Sequence, residues 1–292
     1  MLKECIDGLN IRPDGTYVDV TFGGGGHSRE IMKHLGDGGR LLAFDQDVDA
    51  QQNIIDDKRF EFIDQNFRYL KNFCRLHDAL PVNGILADLG VSSYQFDQAE
   101  RGFSIRFDSE LDMRMNQSGS LTAKEVVNTY NEADLHRMFG IYGEIQNAKS
   151  LARTIVTARL NTPINTVGDL KNAITGLIPR GKENKYLAQV FQALRIEVNQ
   201  ELEALKDFLI QSADVLVSGG RLVVMSYHSL EDRLVKNFIA KGKFSGEVEK
   251  DFYGNDQKPF EQVSRGAITA SEDEIKNNNR ARSAKLRIAV KK

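Results

Sequence analysis

The amino-terminal part of the chain alternates between short apolar runs and segments whose apolar residues recur at helical spacing. The apolar runs are rich in β-branched and aromatic residues and predict strands at 17–21, 40–45, 60–64 and 84–89. The segments between them predict helices at 28–35, 47–56 and 69–77. This alternation indicates an α/β fold with a parallel sheet covered on both faces, in which the ligand-binding loops share the carboxyl edge.

The pattern changes after residue 89. A long stretch at 90–119 has little periodicity, and loops of that length are usually functional. Helical patterns then dominate, with Thr122 and Glu125 spaced as a capping box, Asn131 and Asp134 repeating that spacing, and later helices at 148–158, 166–175 and 191–218. Strand character returns at 221–226, a helix follows at 229–240, and a last strand is predicted at 285–290. We therefore expect a sheet domain at 1–107, a helical insertion at 108–202, and the rest of the sheet domain at 203–292.

Composition excludes several classes of protein. The 39 basic and 41 acidic residues leave a net charge of −2, which argues against nonspecific coating of nucleic acid. Cys5 and Cys74 match no metal-binding spacing and no disulfide framework, so we expect a reduced, cytoplasmic setting. No apolar run reaches the length of a membrane span, and no secretory signal pattern opens the sequence.

The run Gly23–Gly26 lies between the first predicted strand and a helix whose expected N-cap is Ser28. Glycines at that place let the backbone approach a ligand where a Cβ would collide, which favours a nucleoside cofactor. The NAD fingerprint requires a further glycine at the position of Ser28, so the match to a dinucleotide site fails. His27 is either a ligand contact or a residue that only precedes the helix cap.

Acidic residues end two of the predicted strands. Asp45 follows the second strand, where ribose hydroxyls are bound in nucleotide folds; the alternative is a turn acid, and Asp47 reads as the N-cap of the next helix. Asp88 ends a buried strand, where a carboxylate without partners is costly, so a functional role is favoured. Phe67, after the third strand, is either a core residue or a contact to an adenine ring.

Two carboxyl-terminal features leave alternatives open. His228 is a candidate proton acceptor or substrate contact, or a packing residue at a helix entry, with Ser229 and Asp232 spaced as a cap pair. The segment 279–292 carries six basic residues and no acid. It is either an edge strand guarded by lysine and arginine or a phosphate-binding surface.

Together these motifs resemble the S-adenosylmethionine-dependent 16S ribosomal RNA cytosine-N4 methyltransferases, the MraW-like family. The matching blocks occur in order at 18–28, 88–93, 101–104, 111–115, 191–196, 228–233 and 280–287. The resemblance covers nearly the whole chain. Tyr94, where the family usually has proline, and the run 184–189, which replaces a His-Pro-Ala-Thr element, depart from it. The chain also begins inside a His-x-Pro-Val element of the family.

The resemblance implies a class I, Rossmann-like methyltransferase with an all-helical insertion, which methylates a cytosine N4 in the decoding region of the small ribosomal subunit. S-Adenosylmethionine would be the cofactor and 16S rRNA in the small subunit the partner, with no membrane and with a homodimer left open. The implied cofactor contacts are Gly25, Gly26 and His27 at the methionine end, Asp45 at the ribose, Phe67 at the adenine, and Asp88 and Gln95 completing the pocket. No metal site is expected.

The catalytic candidates are Asp88 and His228, and Tyr94 or Phe103 could lie against the face of the target base. Two other functions remain as alternatives. One is a ribosome-assembly factor that kept the fold without the reaction, and the other is a nicotinamide oxidoreductase, which the residue at Ser28 disfavours.

Overall fold

The computed structural model describes residues 1–92, 95–96 and 98–292. These residues divide into two compact units. The first comprises Met1–Gly90 and Leu202–Lys292, and the second comprises Val91–Glu201. The second unit begins well before the expected boundary at 108.

One sheet of eight strands organises the first unit. The strands are β1 Thr16–Asp19, β2 Arg40–Asp45, β3 Phe60–Asp64, β4 Val82–Asp88, β5 Leu216–Ser226, β6 Phe260–Gln262, β7 Ile268–Thr269 and β8 Lys285–Lys291. Their order is β3-β2-β1-β4-β5-β8-β6, with β7 paired to β8. β1 to β5 are parallel, and β8 runs antiparallel to β5 and β6. A single reversed strand next to the edge of a parallel sheet is the arrangement of the Rossmann-like methyltransferase fold, and it confirms the predicted fold class.

Helices cover both faces of this sheet. They are α1 Leu2–Leu9, α2 Gly26–His34, α3 Leu70–Leu76, α9 Glu201–Val215, α10 Ser229–Lys241 and α11 Glu272–Asn277. Side chains alternate between two apolar cores: Leu42 and Ile85 belong to one, whereas Leu41 and Leu86 belong to the other. Burial on both faces explains why these strands read as nearly continuous apolar runs.

The second unit is helical. Its helices are α4 Ala123–Thr129, α5 Glu132–Ile141, α6 Ala148–Asn161, α7 Val167–Ile174 and α8 Glu183–Asn199. Thr122 and Glu125 form the predicted capping box at α4, and Asn131 caps α5 by accepting from the Asp134 amide. Fully buried residues such as Leu135, Leu151 and Leu194 form a core of their own. No helix in the described part of the chain is long and apolar enough to cross a membrane.

The structure corrects several predicted elements. The helix expected at 191–218 is two helices, α8 and α9, separated by Gln200 with a left-handed φ of 50°. The turn expected at 218–220 lies inside β5, where the pairing with β4 shifts register. The segment after Asp47 is a 3-10 helix, Val48–Asn53, although Asp47 is its N-cap as predicted. β8 lies between β5 and β6, which excludes the edge strand, one of the two alternatives for the basic segment.

Candidate active site

Three acids occupy the carboxyl edge of the sheet. β1, β2 and β4 end in Asp19, Asp45 and Asp88, and these strands are parallel neighbours in the sheet. Because the carboxyl ends of parallel strands meet at one edge, the three side chains belong to one region of the first unit. The glycine run leaves β1 at the same edge, and its conformation decides what can approach the acids.

The glycine run forms a tight turn held by hydrogen bonds. Gly23 and Gly25 have φ of 49° and 74°, and the Gly25 amide donates to the Phe22 carbonyl at 2.8 Å. Arg29 donates to the Gly24 carbonyl at 2.6 Å. A Cβ at Gly25 would come within 3.1 Å of the Phe22 ring, whereas one at Gly24 or Gly26 would meet no atom within 4 Å. The turn therefore presents bare backbone next to open space, as a ligand cradle requires.

Ser28 is not the helix cap that the sequence predicts. α2 begins at Gly26 with Gly25 as its N-cap, so His27 and Ser28 lie inside its first turn. The Ser28 hydroxyl donates at 2.7 Å to Oδ2 of Asp19, whose other oxygen accepts from the Thr21 amide at 3.1 Å. Asp19 is almost completely buried, and burial raises its pKa. Ser28 replaces a fingerprint glycine because its hydroxyl satisfies this buried acid.

Asp45 joins the glycine turn to the following loop. One carboxylate oxygen accepts from the Gly23 amide at 2.7 Å and the other from the Asp47 amide at 2.9 Å. An ionised carboxylate has about four lone-pair sites, so each oxygen can accept a further hydrogen bond from a ligand hydroxyl. Burial raises the pKa of Asp45 to about 6, against the effect of the two amides. The two amides therefore fix the orientation of the carboxylate and leave it able to accept further hydrogen bonds.

Asp88 lies at the centre of a small polar network. Its Oδ1 accepts from the Tyr227 hydroxyl at 2.8 Å, its amide donates to the Thr21 hydroxyl at 2.7 Å, and its Oδ2 lies 3.7 Å from Nδ1 of His27. Burial is the largest influence on the carboxyl and raises its pKa, although His27 and Tyr227 act in the opposite direction. The Asp88 side chain remains 27% exposed, so a substrate can reach it.

His27 adds an unpaired polar atom to this network. Its Nε2 is buried and has no hydrogen-bond partner among the described residues. Buried polar nitrogens are usually satisfied, and an exception in a native protein calls for an explanation such as a ligand. The atom fits a ligand acceptor placed beside the glycine turn.

Among the other predicted site residues, Phe67 belongs to the first unit, whereas Gln95 and Phe103 belong to the second. Phe67 begins a 3-10 helix after β3 and packs edge-on against Phe208, with ring centroids 5.6 Å apart, while remaining partly exposed. Gln95 belongs to the second unit, where its buried side chain accepts from the Ser92 amide at 3.1 Å. Phe103 is buried in the core of that unit, which argues against its stacking on a base. Tyr94 lies outside the described residues.

His228 caps α10, a role that the sequence assigned to Ser229 with Asp232. Its Nδ1 accepts from the Glu231 amide at 3.4 Å, and Nε2 lies 3.2 Å from a Glu231 carboxylate oxygen. Asp232 instead pairs with buried Arg287 of β8 at 2.7 Å, and it also contacts Lys285. Part of the basic tail is therefore structural. The Nδ1 of His228 caps its own helix, whereas the buried Nε2 has no hydrogen-bond partner among the described residues.

Sequence reasoning missed two members of the site, Asp19 inside the strand predicted at 17–21 and, after β5, Tyr227. Tyr227 adjoins the His228 motif, but its partner Asp88 is far away along the chain. The only available signal for Tyr227 was the pairing of β4 with β5, since residues that follow two adjacent parallel strands lie at the same edge.

The reversed-strand sheet, with two acids beside a glycine turn at its carboxyl edge, defines a nucleoside-cofactor methyltransferase of the Rossmann-like class. A sequence model of the MraW methylase family matches residues 1–292. The chain belongs to that family. It is therefore a methyltransferase, its cofactor is S-adenosylmethionine, and the nicotinamide alternative is wrong.

Two relatives that share 58% of their residues with this chain agree with this assignment. The chain is 58% identical over 291 residues to "Ribosomal RNA small subunit methyltransferase H" of Christiangramia forsetii, covering 100% of this chain and 96% of that protein. It is 58% identical over 292 residues to the protein of the same name from Flavobacterium psychrophilum, covering 100% of both. A solved rRNA methylase from Streptococcus thermophilus shares 11% identity with a TM-score of 0.44, over 99% of this chain and 93% of the other.

Proposed function

We propose that this chain transfers a methyl group from S-adenosylmethionine to N4 of a specific cytosine in the decoding region of 16S rRNA. The observation that carries the proposal is the Asp88 carboxylate, which ends β4 beside the glycine turn with one oxygen not taken by Tyr227. Relatives at 58% identity that are named small-subunit rRNA methyltransferases support the RNA class. The resemblance described above supports the cytosine and its N4.

The residues present fit the cofactor. Open backbone at Gly24 and Gly26 offers room where a side chain would intrude, and the buried Nε2 of His27 can pair with a polar group at the methionine end. Asp45 has the acceptor sites that ribose hydroxyls need. Phe67 has a partly exposed ring for the adenine. Gly25 and Gln95 complete the proposed set, Gln95 from the family resemblance alone.

The exocyclic amine of cytosine is a poor nucleophile, because its lone pair is delocalised into the ring. The cofactor supplies an electrophilic methyl group on a sulfonium. The protein must therefore hold the amine in line with that methyl group, and such positioning contributes up to roughly 7–11 kcal/mol in favourable cases. The target base must also leave any stacked or paired arrangement to enter the site.

We assign the acceptor role to Oδ2 of Asp88. This oxygen can accept a hydrogen bond from the amine, which orients the nitrogen lone pair, and can stabilise the positive charge that develops on the nitrogen. The proton lost after transfer can leave through the same oxygen. His228 stays a second candidate: its Nδ1 caps the start of α10, and its buried Nε2 has no hydrogen-bond partner among the described residues.

The test is transfer of radiolabelled methyl groups to assembled small subunits and to naked 16S RNA. We expect transfer to assembled subunits, since the near-neutral chain must add shape recognition to phosphate contacts. Asp88→Asn should lose activity by about 100-fold or more while still binding the cofactor. Asp64→Asn is the matched control, because Asp64 also ends a parallel strand of the sheet, β3, but is exposed.

The same assay tests the remaining alternative, a non-catalytic assembly factor. Such a factor would bind small subunits and transfer no methyl group to either substrate. That result, obtained with protein that binds S-adenosylmethionine, would contradict the proposal.

A further inference from the structure

We propose that Tyr227 is a positioning residue for the methyl transfer, because its hydroxyl holds the Asp88 carboxylate in the orientation that presents Oδ2 to the substrate amine. The inference rests on the proposed function for the identity of the amine. The geometric claim about Tyr227 and Asp88 can be tested without any transfer reaction.

The contact is direct and well supported. The Tyr227 hydroxyl donates to Oδ1 of Asp88 at 2.8 Å, which is an ordinary distance for a bond to a carboxylate. The terminal torsion of an aspartate is broad, so a carboxylate without partners samples many orientations. One bond to Oδ1 and the 3.7 Å approach of His27 to Oδ2 give the two oxygens different surroundings. Oδ1 already accepts one hydrogen bond, so Oδ2 is the oxygen more open to a substrate donor.

Tyr227 is itself held in place from two sides. Its amide donates to the Glu231 carboxylate at 2.9 Å, so the cap of α10 fixes its backbone. Its ring lies beside Gly90, where an added Cβ would come 3.6 Å from Cδ2 of the ring. The Leu89 amide donates to the Met225 carbonyl at 2.9 Å and ties the loop after β4 to the end of β5. The hydroxyl therefore reaches Asp88 from a rigid frame.

The Tyr227 hydroxyl keeps its proton and therefore remains a hydrogen-bond donor to Asp88. Burial and the neighbouring Asp88 raise the pKa of Tyr227 well above its ordinary value of about 10, so the phenol stays protonated at neutral pH. The other ionisable groups that act on Asp88 are His27 of α2, Asp19 of β1, Cys5 of α1 and the amino terminus. None of them is removed by a Tyr227→Phe substitution.

The test measures the pKa of Asp88 directly, by carbon-13 NMR of the full chain labelled at aspartate carboxyls, with Asp88→Asn for assignment. Removing a donor from the ionised carboxyl should raise the Asp88 pKa in Tyr227→Phe by about one to two units. The acidic limb of the kcat–pH profile should move upward with it, and kcat at pH 7 should fall about tenfold. The KM for S-adenosylmethionine should change little.

Tyr17→Phe is the matched control. Tyr17 is also a buried tyrosine, and its hydroxyl accepts from the Arg12 amide at 2.7 Å, but it lies near the start of β1, away from Asp88. It should lose stability without moving the Asp88 pKa or the pH profile. A second variant, Tyr227→3-fluorotyrosine, keeps the shape and the donor. Its more acidic phenol should lower the Asp88 pKa, so the proposal remains testable if Tyr227→Phe does not fold.

An Asp88 pKa and a kcat–pH profile unchanged in Tyr227→Phe would overturn the inference, as would equal shifts in Tyr17→Phe. The proposed function fails by a different result. If the wild-type chain methylates a base other than cytosine, the assignment of the substrate amine to cytosine N4 is wrong, whatever the NMR titration shows.

Discussion

Asp45→Asn tests the cofactor site most sharply, because it keeps the shape of the side chain and removes its charge. Asp45 already accepts from the Gly23 and Asp47 amides, and its remaining lone pairs are those assigned to the ribose. Each hydrogen bond to a charged group contributes about 1.5–3 kcal/mol. Asparagine retains one acceptor oxygen, so we expect a net loss of about 2–4 kcal/mol, which raises the Kd for S-adenosylhomocysteine roughly 30- to 1000-fold.

The same substitution should change the free energy of unfolding much less than it changes the free energy of cofactor binding. The Asp45 pKa of about 6, against an ordinary 3.8, means that the ionised form costs about 3 kcal/mol at pH 7. Because the folded state binds this proton more tightly than the unfolded chain does, the free energy of unfolding falls as pH rises between about 4 and 6. Asp45→Asn removes that cost. The new side-chain nitrogen cannot accept, however, so one of the two backbone N–H groups loses its acceptor, at a cost of about 1–3 kcal/mol. The two effects nearly cancel.

The assay combines isothermal titration calorimetry with S-adenosylhomocysteine and denaturant unfolding at pH 7. Asp64→Asn provides the control, because Asp64 lies opposite Asp45 in register at the end of β3. Its carboxylate accepts from the Gln51 side chain and has no contact with the glycine turn among the described residues. If Asp45→Asn binds S-adenosylhomocysteine within about threefold of the wild-type affinity, Asp45 does not hold the ribose. An equal loss of affinity in Asp64→Asn would contradict that role as well.

Three further predictions follow from neighbouring contacts. Gly26→Ala should raise the free energy of unfolding by about 0.4–1 kcal/mol, because its Cβ meets no protein atom in the first turn of α2, yet calorimetry should show weaker cofactor binding. Arg287→Met should lower the free energy of unfolding in urea by about 3 kcal/mol, because Asp232 would keep only its longer contact with Lys285; a loss below about 1 kcal/mol would show the pair to be dispensable. Affinity for S-adenosylhomocysteine should fall as pH drops below about 6, where Asp45 takes up a proton, and this dependence should vanish in Asp45→Asn.

The sheet and its acids could be predicted because local pattern and tertiary position agree there. Strands buried on both faces need continuous apolar runs, and such a run ending in an acid places that acid at the edge where ligands bind. β2 and β3 therefore match their expected bounds, and Asp45 and Asp88 lie at strand ends as expected.

The predictions failed where a side chain with the composition of a helix cap bonds instead to a residue from another element of the fold. Ser28 has the composition of an N-cap, but its hydroxyl goes to Asp19, and a left-handed glycine caps the helix instead. Asp232 has the spacing of a cap acid and pairs with Arg287 from β8. The break at Gln200 carries no glycine or proline to reveal it. Each error concerns a contact between residues distant in sequence, or a backbone conformation rare for the residue type.

Identification of the methylated nucleoside tests the central claim most directly. Small subunits lacking the modification are incubated with the chain and S-adenosylmethionine, and their RNA is digested to nucleosides and analysed by mass spectrometry against methylcytidine standards. We expect N4-methylcytidine in the digest with the wild-type chain and far less with Asp88→Asn. Methylation at cytosine C5 or on another base would contradict the proposal, because the amine that Asp88 is assigned to accept from is the N4 of cytosine.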